Sequence, residues 1–219
     1  MSLRMRTIHL LICDLDGTLV DTLEDIAQSL NFTLGSLGRP QLPLERVRQF
    51  VGDGATMLLT RALGGRTDLL EEAKGIYSGH HARNLVVRSH LYPGVRETLE
   101  LFRPLPMAVV TNKTLAFSEP LLEQLGIRPF FSRVLGADEG LPLKPAPDAF
   151  QKIMNDLGIA KEQTAVVGDG TTDILAGRAA GITTCAVTYG FRPEEELRKS
   201  GPDHVIHAFP ELTGLFRAA

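Results

Sequence analysis

The 219-residue chain is short of cysteine, of unbalanced charge and of long apolar runs, and each shortage removes a class of function. Its two cysteines, Cys13 and Cys185, both fall in apolar, β-like runs. Buried free thiols in a reducing compartment, with the cytoplasm as the default, are therefore expected rather than a disulfide. A cysteine-dependent phosphatase needs an arginine six residues after its cysteine, and the residue at that distance from Cys13 is Leu19. With 23 basic and 26 acidic residues and a net charge of -3, the chain offers no basic footprint for nucleic acid and no polybasic membrane patch. No apolar run approaches the ~18 residues of a membrane span. Met1-Ser2-Leu3-Arg4 leads into a strand rather than a signal-peptide core. G-x-x-x-x-G-K-[ST] and G-x-S-x-G are both missing, and the single Gly17 after the first strand is no dinucleotide fingerprint.

What is present begins with Ile8-His9-Leu10-Leu11-Ile12-Cys13, which reads as a buried parallel strand, and Asp14-Leu15-Asp16-Gly17-Thr18 directly after it. In extended chain Asp14 and Asp16 point the same way, and Gly17 lets the backbone turn past them. Taken alone, a D-x-D-G stretch is also an ordinary turn. Residues 21–37, 44–51, 55–63 and 69–87 then show helical spacing, with breaks at Gly38, Gly52-Asp53-Gly54 and Gly64-Gly65. From Pro93 onward short apolar strands at 107–110, 134–135, 164–167, 183–187 and 204–206 alternate with helices. That order predicts an α/β fold, a doubly wound parallel sheet, with an all-helical segment inserted after the first strand. The expected division is residues 1–20 and 91–219 as the α/β domain and 21–90 as the helical cap.

Polar clusters recur at the strand ends. Thr111-Asn112-Lys113 follows one strand, and its hydroxyl and amide can hydrogen-bond an anion oxygen where a helix begins. Gly168-Asp169-Gly170-Thr171-Thr172-Asp173 follows another and delivers two carboxylates, while Lys144 stands between them in a proline-stiffened approach to a helix. Asp14, Asp16, Asp169 and Asp173 packed together would repel unless a hard cation sat among them, and Mg²⁺ takes carboxylates, waters and a substrate phosphate. Lys144, Thr111 and Asn112 supply positive charge and donors for that phosphate. His80-His81 carries no metal reading, because adjacent helical residues diverge by about 100° and no third ligand is spaced to join them.

These four motifs resemble those of the haloacid dehalogenase superfamily, in the branch with a helical cap inserted after the first motif. The longer context, Val110-Thr111-Asn112-Lys113, Asp173-Ile174-Leu175-Ala176 and Val51-Gly52-Asp53-Gly54-Ala55, is most similar to phosphoglycolate phosphatases. The resemblance implies a Rossmann-like core, Asp14 as nucleophile forming an aspartyl-phosphate, and Asp16 as the acid and then the base. It also implies Thr111, Asn112 and Lys144 on the phosphate. Mg²⁺ is then held by Asp14, Asp169 and the backbone carbonyl of Asp16, with Asp173 helping directly or through water. Gly170 departs from the family pattern, where Ser or Thr is usual, so a hydroxyl contact there must be absent or supplied by Thr171 or Thr172.

The expected activity is Mg²⁺-dependent hydrolysis of a small phosphate monoester, 2-phosphoglycolate. A pyrophosphatase, a sugar-phosphate phosphatase and a phosphosugar mutase share the same core residues and stay open as alternatives. A non-catalytic binding module would have no reason to keep these acids together. The expected partner is a small phosphorylated metabolite, with no nucleic acid and no membrane. Gly52 and Gly54 in the cap are expected to bring backbone N–H groups close to the substrate.

Overall fold

The computed structural model describes residues 5–219; the reading of Met1-Ser2-Leu3-Arg4 lies outside them. The first apolar run divides at His9 into β1 (Arg6–Ile8) and β2 (Leu10–Cys13). The expected single strand breaks there because the His9 N–H turns aside to the carbonyl of Gln163 at 2.8 Å. A two-residue strand, β3 (Val20–Asp21), precedes four helices, α1 (Leu23–Ser36), α2 (Leu44–Arg48), α3 (Ala55–Ala62) and α4 (Leu70–Arg83). The chain leaves this helical insert through β4 (His90–Leu91), which pairs antiparallel with β3. Both linkers of the insert thus form one short ribbon.

After α5 (Val95–Leu101) the pattern alternates: β5 (Met107–Val110), α6 (Leu115–Gln124), β6 (Arg133–Leu135), α7 (Asp148–Leu157), β7 (Thr164–Gly168), α8 (Thr171–Ala180), β8 (Thr183–Val187), α9 (Glu194–Lys199) and β9 (His204–Ile206). The fold closes with α10 (Leu212–Leu215) and β10 (Phe216–Ala218), the latter pairing with β1. Six strands form a parallel sheet in the order β6-β5-β2-β7-β8-β9. Every residue of β2, β5, β7 and β8 is buried, as expected for strands covered by helices on both faces. Leu11 and Cys13 join the core on one face, whereas Leu10 and Ile12 join the core under α7 and α8 on the other. The chain winds outward from β2 in both directions, so the sheet's switch point, where ligands of open α/β sheets bind, lies at the end of β2.

The insert has its own apolar cluster, built from Ile26, Leu30, Val47, Leu59 and Tyr77 among others, and Phe117 and Phe191 from the sheet side join it. Its last helix stops at Arg83 rather than near residue 87. The reason is Asp25, fully buried on α1, whose carboxylate accepts the N–H groups of Val87, Arg88 and Ser89 and the Ser89 hydroxyl at 2.7 to 3.1 Å. A carboxylate that collects successive backbone donors holds them in a turn, not in a helical ladder. No helix among the described residues is long and apolar enough to cross a membrane.

Candidate active site

Five strand ends feed one crevice. Asp14 follows β2, with its N–H on the carbonyl of Val167 at 3.0 Å, and Thr111 follows β5. Lys144 comes from the loop after β6, Asp169 follows β7, and the loop after β8 wraps over Asp169. Lys144 is 5% exposed and donates to Asp14 at 2.7 Å, to Asp173 at 2.6 Å and to the carbonyl of Val110 at 2.8 Å. Its three N–H bonds are therefore all used. Burial alone would lower its pKa, but the two carboxylates outweigh burial and hold it above the usual lysine value.

Asp169 is held as firmly. Thr18 donates its hydroxyl to the Asp169 carboxylate at 2.8 Å and accepts the Asp169 N–H at 2.9 Å, and the N–H of Phe191 reaches the other oxygen at 2.8 Å. The backbone closes tightly on this acid from two sides. A Cβ on Gly17 would lie 2.2 Å from an Asp169 oxygen, and one on Gly190 would lie 2.3 Å from the Asp169 Cβ. Carboxylate oxygens of Asp14, Asp169 and Asp173 fall within 4.8 Å of one another. Burial pushes Asp14 up to about 8, with Asp173 adding to the rise and Lys144 opposing it. Burial and Asp173 push Asp169 up to about 7, against the hydrogen bonds from Phe191 and Thr18. Three carboxyl groups converge on one ammonium, and a divalent cation among them would offset the cost of ionising them; a cluster of hard oxygen donors fits Mg²⁺ and not a soft metal.

Asp16 stands apart from that group. Its carboxylate accepts the Thr22 hydroxyl at 2.7 Å and the Lys113 ammonium at 3.1 and 3.3 Å. Asp14 and Asp16 nevertheless line one cavity, roofed by the insert. Thr111, Lys113, Gly52 and Gly54 line it too, and Ile26, Val51, Leu58, Tyr77 and Phe117 make the rest of its wall largely apolar.

With this geometry in place, comparison with known proteins is decisive. The profile of the haloacid dehalogenase-like hydrolases matches residues 11–187, which is most of the chain. The chain belongs to this family. A relative from Vibrio parahaemolyticus called phosphoglycolate phosphatase is 39% identical over 215 residues, covering 94% of each chain. Another of that name, from Haemophilus influenzae, is 37% identical over 213 residues, covering 92% of this chain and 95% of its own. A crystal structure described as a predicted phosphoglycolate phosphatase from Haemophilus somnus superposes with a TM-score of 0.91 at 32% identity, covering 96% of this chain and 98% of that one. This hydrolase therefore carries Asp14, Thr111, Lys144 and Asp169 at or beyond the strand ends of a parallel sheet.

One expected donor is placed differently. Asn112 does not offer its side chain to an anion, because its amide nitrogen donates to the carbonyls of Gly52 and Lys144 at 3.0 and 3.1 Å and its oxygen accepts the Lys144 N–H at 3.0 Å. A carboxamide matches a peptide group donor for acceptor, so Asn112 clasps the Lys144 backbone and ties it to the insert. The Thr111 hydroxyl, buried beside it, accepts the Lys113 N–H at 3.2 Å and keeps its own proton to donate. Asp173 accepts the Gly170 N–H at 2.9 Å besides Lys144. At Gly170 a Cβ would lie 2.9 Å from an Asp173 carboxylate oxygen and 3.1 Å from the Thr172 Oγ1, so the neighbouring hydroxyl there is that of Thr172.

Sequence reasoning passed over Lys113, Thr18, Arg192 and Asp25. Thr18 and Lys113 both lay inside quoted motifs, and their hydroxyl and ammonium were the available signal. Arg192 donates to the carbonyls of Gln49 and Val51 at 3.0 and 2.7 Å, a second tie from the sheet side to the insert; nothing in its sequence surroundings marks it. His80 and His81 both place Nδ1 3.1 Å from the Ser29 hydroxyl, and the group of possible metal ligands found among the described residues, Asp14, Asp169 and Asp173, does not include them. Cys13 and Cys185 are buried and free. Both align with Val167 on the strand between them, so about two strand spacings, roughly 9.5 Å, separate them, beyond the ~7 Å reach of a disulfide.

Proposed function

We propose that the chain is a Mg²⁺-dependent phosphatase that hydrolyses 2-phosphoglycolate through an aspartyl-phosphate on Asp14. The observation that carries this reading is the separation of two acids within one cavity, Asp14 beside Lys144 and the carboxylate group, Asp16 beside Lys113 and Thr22. Phosphate monoesters hydrolyse so slowly that rate factors up to ~10²¹ are needed, and dividing the displacement into two steps lightens each. An Asp14 oxygen forms the bond to phosphorus while the ester oxygen departs, taking a proton from Asp16. Asp16, now a carboxylate, then takes a proton from the water that attacks the phosphorus, which frees inorganic phosphate and restores Asp14. The Thr111 hydroxyl orients a phosphoryl oxygen, and Lys144, whose three N–H bonds are taken, holds Asp14 and Asp173 in place and sets its positive charge beside them; Asp169 and Asp173, with Asp14 and the Asp16 carbonyl, would hold Mg²⁺. When bound, that ion offsets the charge between carboxylate and phosphate and steadies the charge in transfer.

The apolar roof supports closure over a small substrate with exclusion of bulk water. The buried free thiols support a reducing compartment, the cytoplasm, and the balanced charge supports a soluble metabolite rather than nucleic acid or membrane as partner. The test is phosphate release with Mg²⁺ from a panel of 2-phosphoglycolate, pyrophosphate, sugar phosphates and an aryl phosphate. The expected result is the highest kcat/KM on 2-phosphoglycolate. Release from none of them, or a preference for pyrophosphate or a sugar phosphate, contradicts the reading.

A further inference from the structure

We infer that Lys113 is the specificity-determining residue of this site, the cation that receives the carboxylate of the leaving group. The inference rests on the reading of the substrate as a phosphorylated carboxylate. Two lysines, Lys144 buried and Lys113 largely enclosed, flank the two reacting acids, and they differ in how completely they are used. Lys144 has three close acceptors, one for each N–H. Lys113 is less deeply placed, its side chain 7% exposed against 3%, and both its side-chain contacts go to the one carboxylate of Asp16, at the longer distances of 3.1 and 3.3 Å. An ammonium carries three donors, so Lys113 retains at least one N–H for a ligand. Buried donors are normally satisfied, and a partner supplied by the substrate would complete the set.

The rest of the cavity narrows the choice. Lys113 carries the one cationic side chain among the lining residues. The insert's side chains there, Ile26, Val51, Leu58 and Tyr77, together with Phe117, give a carboxylate no charge to pair with, and burying an unpaired carboxylate is strongly unfavourable. Lys113 also stands where the chemistry requires it. Asp16 must touch the departing oxygen, and the carboxylate carbon of phosphoglycolate is only two bonds from that oxygen, so a group in contact with Asp16 is within reach of it. The position at the start of α6 adds a helix N-terminus of the same sign.

The test compares kcat/KM on 2-phosphoglycolate and on ethyl phosphate, which replaces the carboxylate with a methyl group, for the wild type, Lys113→Met and Lys113→Arg. Any loss that follows from disturbing Asp16 strikes both substrates and divides out of the ratio. The wild type should prefer 2-phosphoglycolate. Lys113→Met should shrink that preference by about 10- to 100-fold, the range for a hydrogen bond to a charged partner, mainly through a raised KM for phosphoglycolate. Lys113→Arg should restore part of it. Should Lys113→Met fail to fold, Lys113→Arg and the wild type assayed on the neutral amide of phosphoglycolate carry the test: the amide should lose the preference, and the arginine variant should keep discriminating against it. A wild type with no preference overturns the substrate reading itself. A wild type that prefers phosphoglycolate, with the preference unchanged in Lys113→Met or with the amide turned over equally well, overturns the role of Lys113 alone.

Discussion

The strand ends and the helical insert face each other across one cavity and are built on opposite terms. On the sheet side nearly every functional group is saturated: Lys144 has three acceptors, Asp169 has Thr18 and Phe191, and Gly17 and Gly190 close upon it. On the insert side the wall is apolar, and the contacts that reach across are to backbone carbonyls, Asn112 to Gly52 and Arg192 to Gln49 and Val51. The difference separates two tasks. A preorganised polar site stabilises developing charge without reorganising during the reaction. On the proposed function, a wall attached through a short ribbon and a few hydrogen bonds would open for substrate, close over it and select what closes well.

The sharpest way to break this comparison is Asp14→Asn, which should remove the chemistry and leave the fold. Turnover should drop by at least a thousandfold, about 4 kcal/mol of barrier, with far-UV circular dichroism unchanged. A variant retaining a tenth of the wild-type rate would place the nucleophile elsewhere.

Asp25→Ala tests the attachment of the insert. Removing the carboxylate strands the buried N–H of Ser89 and takes the acceptor from the part-buried N–H groups of Val87 and Arg88, and the expected loss is about 2–4 kcal/mol in urea unfolding. A loss below 0.5 kcal/mol, the size of an ordinary surface substitution, would mean that the ribbon of β3 and β4 holds the linker unaided.

Gly54→Val acts on closure. Gly54 has φ +84°, and a Cβ there would lie 3.2 Å from the Asn112 carbonyl oxygen, so the loop must move away from the sheet side. Activity on 2-phosphoglycolate should fall about tenfold, roughly 1.4 kcal/mol, and activity on an aryl phosphate much less. Equal losses on both would make the loop structural.

The smallest effect is on stability against pH. The folded-state pKa values of Asp14 and Asp169 are raised, to about 8 and about 7. Their contribution to stability is therefore full below the unfolded value of ~3.9 and is lost as pH rises through 7 to 8. In chelator the wild type should lose stability relative to Asp14→Asn between pH 5 and pH 8, by thermal unfolding, and Mg²⁺ should restore more at pH 8 than at pH 5. A difference that is flat with pH would show that these acids are not strained by their burial.

The legibility of the two regions in sequence follows the same division. The sheet was readable because β2, β5 and β7 are short apolar runs that each stop at polar residues, and the recurrence of that pattern, not any one instance, sets it apart from ordinary turns. The lone strand before four helices marked the insert as an insert. What stayed hidden depends on partners far along the chain. Lys113 meets Asp16 across 97 positions, and Asp25 meets Ser89 across 64, while within α1 it looks like one more solvent-facing acid. The Asn112 amide reads as an anion donor because an amide just before a helix can bond an anion oxygen, and only its distances to Lys144 and Gly52 show the amide already spent. The break at His9 and the ribbon of β3 and β4 are set by tertiary hydrogen bonds that leave no periodic signal.

The central claim, that the two acids divide the reaction and that Asp14 takes the phosphoryl group, is tested most directly by trapping. Enzyme mixed with 2-phosphoglycolate and Mg²⁺, quenched in acid within one turnover and digested, is analysed by mass spectrometry. The account predicts one phosphoryl group on the peptide containing Asp14, and its accumulation in Asp16→Asn, whose second step lacks a base. Rapid phosphate release with no phosphorylated peptide in either protein, or a phosphoryl group on any other residue, would contradict it.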